Sequence, residues 1–352
     1  MGYIILVIFI FTALLCYLED YIKKYRLPLY LLIGLILILV AGLREVGIDP
    51  DSENYEYTYQ HFYANNVLDG VEFSYILLSS IFNYITNDVH ILFLFYALWG
   101  VSIKLFAIRT NFNLWFTAVL VYIAFYFELH ELTQIRTGIL SGLLLLAIKP
   151  IADGKRKLAL AILAIGFFFH TSGLLLMPLV LLKNKPMTIK QRILWGALIP
   201  LSYCIYFTGT NLIMNVDIPY IGDKLAMYQK SVDKGILTVT INVFSPLQLF
   251  SLVLYYYLLY FHDTIIQFNK YFPLMIKILT LGLFSFATFA ILPVFAQRVC
   301  YLLSVVNVCL YPYIIYTFKQ KWIGITVMVL ISLIILNYGM GYIKFPLLWK
   351  VG

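Results

Sequence analysis

Residues 27–43 read LPLYLLIGLILILVAGL, an apolar run without a charged side chain that stops at Arg44. As a helix rising 1.5 Å per residue, it covers most of a hydrocarbon core about 30 Å thick. Comparable runs lie on both sides, at 2–18, 89–108, 112–127, 132–148, 158–169, 172–182, 193–209, 243–261, 273–292, 299–318 and 322–338. The pattern predicts an all-α fold, a polytopic transmembrane helix bundle of about 12 segments forming one integral membrane domain over residues 1–352. Run 2–18 lacks a basic start and a small-residue cleavage site, so it is expected to be a retained span.

Composition excludes the alternatives. Of 352 residues, 62% are hydrophobic and 12% charged, with a mean hydropathy of +0.89. Soluble domains carry about 25% charged residues, and disorder needs low hydrophobicity and high charge. The net charge of +8 would suggest nucleic acid in a soluble protein. Here the charges sort by membrane side, and no nucleic-acid partner is expected. Cys16, Cys204, Cys300 and Cys309 all lie in apolar runs without C-x-x-C spacing, as small buried hydrophobes do. The chain contains no P-loop, GxGxxG, HExxH or GxSxG motif.

Charge bias orients the spans. Lys23, Lys24 and Arg26, then Arg109, then Lys155, Arg156 and Lys157, then Lys183, Lys185, Lys190 and Arg192, then Lys270, then Lys319 and Lys321 all fall in connections expected to be cytoplasmic. The external side then holds two long connections, 44–88 and 210–242. In the first, VEFSYILLSSIFNYI at 71–85 is apolar but short, and a crossing there would reverse every later loop. It is read as an interfacial helix. Runs 158–169 and 172–182 are too short to span and have basic flanks. They predict a hairpin that enters and leaves on the cytoplasmic side, with His170-Thr171-Ser172-Gly173 at its apex.

Ionisable groups in hydrocarbon cost about 2.5–3.5 kcal/mol on insertion scales and mark functional sites. Arg44, Arg136 and Arg298 sit at external ends of spans, against the positive-inside bias. One such arginine snorkels or pairs with Glu45, Glu128 or Glu131. Three at one depth, beside the His170 apex, point to an anion site, because the planar guanidinium fork matches phosphate oxygens. His130, between Glu128 and Glu131 in FELHELTQIR, is placed at the water boundary as a second candidate. Tyr55 and its neighbours can stack on sugar faces or serve as an interfacial belt. Gly138 and Gly142 form a small-xxx-small pair expected at a close helix contact. A single imidazole at the apex does not make a metal site, and no metal or cofactor is expected.

Four motifs carry a resemblance: LREVGIDPDSENY at 43–55, QIRTGI around Arg136, FHTSGLL around His170 and AQRVCYL around Arg298. In this order they resemble the EpsG-like polysaccharide polymerases, the Wzy class that joins repeat units of O-antigen, capsule and exopolysaccharide. Ile48 stands where that family often has Thr between Gly and Asp. The resemblance implies a fold related to lipid-linked (GT-C-like) glycosyltransferases and O-antigen ligases, in the bacterial cytoplasmic membrane, with the active site facing the periplasm. It implies donor and acceptor glycans on undecaprenyl pyrophosphate, contact with membrane lipid, and a chain-length regulator as partner.

The chemistry assigns roles under that resemblance. A pyrophosphate leaving group needs fixed positive charge, expected from Arg44, Arg136 and Arg298. The acceptor hydroxyl needs a base or orienting group, and Asp49 and His170 are the two catalytic candidates. Tyr55, Glu128, His130 and Tyr228 are assigned to the glycan, with Lys224, Tyr228 and Lys230 on an external loop that acts either as a lid or as a solvated connection. Two other classes stand as alternatives: a lipid-linked oligosaccharide flippase or transporter, and a membrane O-acyltransferase. A transporter calls for duplicated halves or charges along a path between faces, whereas the unusual charges here are read at one face.

Overall fold

The computed structural model describes residues 1–63, 72–208 and 241–343, and among them every regular element is helical. The chain divides into two compact units. One comprises Met1–Asn184, Gln267–Tyr271 and Asn307–Gly352; the other comprises Lys185–Ile266 and Phe272–Val306. Four helical runs are long and apolar enough to cross a membrane: His90–Asn111, Ile135–Ala152, Pro293–Thr317 and Lys321–Gly339. The other apolar runs form helices that are shorter or more polar, so length and composition support four of the expected crossings.

The first unit begins with α1 (Gly2–Leu18) and α2 (Arg26–Gly42), whose bounds match the apolar runs to within a residue. The connection after α2 then forms α3 (Ser52–Gln60) and α4 (Phe73–Asn83). With 11 residues, α4 is the short helix anticipated at 71–85. Long α5 (His90–Asn111) packs between α2 and α7 (Ile135–Ala152). Ahead of α7 stands α6 (Trp115–Val121), which runs on as two π-helical stretches, Tyr122–Tyr126 and Glu128–Thr133. π-turns are rare and concentrate at functional places in helices.

The anticipated hairpin is present. Helix α8 (Arg156–Phe169) ends at His170, whose backbone is extended (φ −152°, ψ 132°). The chain reverses into α9 (Gly173–Leu176) and a 3-10 turn, Met177–Leu181, which pack back on α8. A Cβ on Gly173 would lie 2.6 Å from the backbone nitrogen of Phe167, so only glycine lets the two arms meet this closely. The small residues of α7 act as expected. A Cβ on Gly138 would lie 2.6 Å from the His130 carbonyl, and one on Gly142 would lie 3.2 Å from Ile103.

The second unit contains α10 (Ile189–Phe207), α11 (Pro246–Tyr260), α12 (His262–Ile265), α13 (Phe272–Thr288) and α14 (Pro293–Ser304). Helix α13 forms its centre, packed by α10, α11 and α14. Thr188 caps α10 through a reciprocal capping box with Gln191. Arg192 grips both carboxylate oxygens of Asp263 at 2.6 Å, and its hydrogen bond with that of His262 holds the Asp263 carboxyl below its usual range. The first unit closes with α15 (Asn307–Leu310), a 3-10 stretch Tyr311–Thr317, and α16 (Lys321–Gly339), which packs on the π-turn at 122–126.

Candidate functional site

The first unit gathers five of the anticipated residues around an aromatic wall. Gly47, at φ +91°, turns the chain after α2 in a conformation that favours glycine. The turn brings Asp49 back onto Arg44: Arg44 Nε donates to Asp49 Oδ2 at 3.1 Å, with both side chains fully buried. Arg44 Nη1 donates to the Ala41 carbonyl at 2.8 Å, and the guanidinium lies 3.8 Å over the Phe93 ring. The second oxygen of Asp49 accepts from the backbone N–H groups of Asp51 and Ser52, at 3.1 and 3.0 Å, where α3 begins. Both oxygens of Asp49 are therefore committed to this corner, which gives the Gly-x-Asp spacing a structural origin.

Beyond Phe93 the wall continues. Phe93 meets Tyr55 edge-on at 6.4 Å, and Tyr55 stacks on Tyr75 at 5.6 Å, with the Tyr75 hydroxyl donating to the Tyr55 carbonyl at 2.6 Å. Arg136, in the first turn of α7, places its guanidinium 5.7 Å from both tyrosine rings. Tyr55 thus lies against an arginine and not at an open belt.

Arg136 Nη1 forms an ion pair with Glu72 Oε2. The other oxygen of Glu72 lies 3.6 Å from His170 Nε2. His170 Nδ1 accepts from the Ser172 N–H at 3.1 Å. That bond fixes the ring: when neutral, it carries its proton on Nε2, facing Glu72. Ser74 Oγ donates to the Phe169 carbonyl at 3.5 Å and ties α4 to the hairpin. Exposure distinguishes the groups. The Arg136 side chain is 21% exposed, His170 10%, Glu72 4% and Arg44 0%. Arg136 Nε is buried without a hydrogen-bond partner. The Arg136 side chain is the most accessible of these, and its Nε, like Arg44 Nη2, is an unused buried donor.

Glu72 was not among the sequence candidates. Its signal is a lone carboxylate directly ahead of the apolar run 73–82, where it takes the N-cap position of α4. Lys104 was missed too, although a lysine inside the run 89–108 is a charge where charge is expensive. It is completely buried and donates to Glu131 Oε1 and the Gly138 carbonyl, each at 2.5 Å. The Tyr122 hydroxyl donates to the same Glu131 oxygen at 2.9 Å.

This cluster corrects the placement of Glu128 and His130 at the water boundary. Both are fully buried in the π-helical stretch, and neither side chain has a hydrogen-bond partner. The reason is that α6 does not stop at Phe127 but winds on through π-turns to Thr133. Arg298 lies on α14 of the second unit. Tyr228, Lys224 and Lys230 fall outside the described residues.

A family model described as the EpsG family matches residues 27–347, nearly the whole chain. The chain belongs to the EpsG family. EpsG proteins are Wzy-like polysaccharide polymerases, and the motifs at Arg44, Arg136, His170 and Arg298 all fall inside the matched region. No curated protein and no solved structure matches the chain. Within this EpsG-family chain, the described geometry joins the first three motifs in one unit through Phe93, Tyr55, Tyr75 and Glu72.

Proposed function

We propose that this EpsG-family protein is a glycosyltransferase that joins undecaprenyl-pyrophosphate-linked oligosaccharide repeat units at the periplasmic face of the bacterial cytoplasmic membrane. The observation that carries the proposal is Arg136, a partly exposed side chain whose guanidinium lies beside two tyrosines and, through Glu72, His170. A pyrophosphate leaving group gains negative charge as the glycosidic bond to it breaks. A preorganised guanidinium aimed at that charge lowers the barrier. Arg136 is assigned to the pyrophosphate. Arg44, locked to Asp49, adds fixed positive charge and holds the turn in place. Arg298 is assigned a contact with the anionic substrate. Tyr55 and Tyr75 supply a wall for the glycan, and a chain-length regulator is the expected protein partner.

The test is direct. Purified protein given lipid-linked repeat units should make a ladder of products with no nucleotide sugar or nucleoside triphosphate added. Deleting the gene should leave single repeat units on the lipid carrier or surface acceptor. If repeat units instead accumulate on the cytoplasmic side, the chain is a flippase. The buried Lys104–Glu131 pair would then be the intramembrane charge that a transport path requires.

Sidedness has its own prediction. Single cysteines at the exposed positions Asn54 and Lys185 should differ in labelling from outside, with Asn54→Cys reacting and Lys185→Cys protected. Equal labelling, or labelling of Lys185→Cys alone, would overturn this orientation.

A further inference from the structure

We propose that Glu72 occupies the pyrophosphate's place on Arg136 in the resting protein and, once displaced, takes the proton from the acceptor hydroxyl. The inference rests on the polymerase reading above and assigns the base within that site. A carboxylate and a phosphate present similar pairs of oxygens to a guanidinium, so an ion pair such as Arg136–Glu72 is what an incoming pyrophosphate must replace. The geometry allows the exchange. The Arg136 side chain is 21% exposed and its buried Nε has no partner, while Glu72 is 4% exposed, so an anion arriving from outside meets the arginine first.

The alternative bases are committed elsewhere. Asp49 uses one oxygen for Arg44 and the other for the backbone at the start of α3. The basic nitrogen of neutral His170 is Nδ1, which already accepts from the Ser172 N–H. His170 Nε2 instead faces Glu72 Oε1 at 3.6 Å, beyond hydrogen-bond length, and lines the carboxylate on the side away from the oxygen paired with Arg136.

The acceptor hydroxyl oxygen bonds to the anomeric carbon of the donor glycan, and its proton passes to Glu72 Oε2. The bond from that carbon to the pyrophosphate oxygen breaks, and its electron pair leaves with the lipid pyrophosphate held by Arg136. Glu72 returns the proton to water, and the pair with Arg136 re-forms when the lipid departs. A carboxylate paired with arginine is a weak base, and loss of the adjacent positive charge makes it a stronger one. Hydroxyl activation therefore waits for the donor, so that an unoccupied site has no free base.

Glu72→Gln tests this with two readouts. Binding of a short-chain prenyl pyrophosphate should be as tight as in the unaltered protein, or up to about tenfold tighter, because an amide competes less well for Arg136. Turnover in the ladder assay should fall about 10²- to 10⁴-fold, the usual contribution of a positioned base. Glu72→Asp keeps the carboxylate and should retain turnover within about tenfold of the original, which also covers the case in which Glu72→Gln does not fold. The proposal is overturned if Glu72→Gln turns over normally, if it loses binding and turnover together, or if Glu72→Asp is as inactive as a base-deleted protein. Failure of the unaltered protein to make any ladder sinks the polymerase reading instead.

Discussion

Arg136→Lys is expected to lower polymerisation about 10²-fold while the protein remains folded and inserted. Lysine keeps a positive charge near Glu72, so the 4%-exposed carboxylate does not become a bare buried anion. What it loses is the fork. An ammonium is a point charge and cannot present two parallel N–H groups to a pyrophosphate oxygen pair. Removing one donor aimed at developing negative charge costs about 10²–10³ in turnover. Initial rates of ladder formation, set against thermal unfolding in detergent, separate the two effects. A normal rate would mean that the guanidinium does not hold the leaving group. Arg44→Lys should behave differently, because Arg44 is fully buried and two of its nitrogens hold Asp49 and the Ala41 carbonyl. Its main readout is stability.

Lys104→Met should be the most destabilising single change, at about 3–5 kcal/mol, the usual cost of breaking a buried ion pair by removing one partner. Lys104 and Glu131 are 2.5 Å apart, with side chains 0% and 1% exposed. Without the lysine, Glu131 keeps only the Tyr122 hydroxyl on that oxygen, and its other oxygen already has no partner. The double change Lys104→Met with Glu131→Gln removes both charges and should recover most of the loss, since matched neutral replacements of buried pairs are often tolerated. Thermal unfolding of the four proteins in the double-mutant cycle measures the coupling. A cycle with no coupling would mean that the two charges are not held together inside the bundle. If the cluster serves only as scaffold, the double variant should also polymerise at the original rate.

The sequence by itself determined the class of molecule and most of its helices. Apolar runs of membrane-crossing length, separated by sorted charges, can bury their surface only as helices in lipid, where every backbone group must be satisfied within its own segment. The bounds of α1 and α2, the short α4 and the reversal at His170 follow from hydropathy and local turn chemistry. These are short-range properties of the chain. The four motifs likewise marked Arg44, Arg136 and His170 without any knowledge of what surrounds them.

Tertiary structure alone decided the partners. Glu72 and Arg136 are 64 residues apart, and Glu72 and His170 lie 98 positions apart in the sequence, so no local pattern pairs them. The acidic corner at Asp49 was legible as chemistry, yet whether it faced substrate or Arg44 depended on the turn at Gly47. The π-winding after Val121 shifted Glu128, His130 and Glu131 from an expected wet end into the interior, and hydropathy has no signal for a change of helical winding. Charge in a membrane protein is expensive wherever it stands, so the sequence can mark which residues matter. Which oxygen meets which nitrogen is fixed by long-range packing, and that is what left Arg136 partly exposed and Lys104 fully buried.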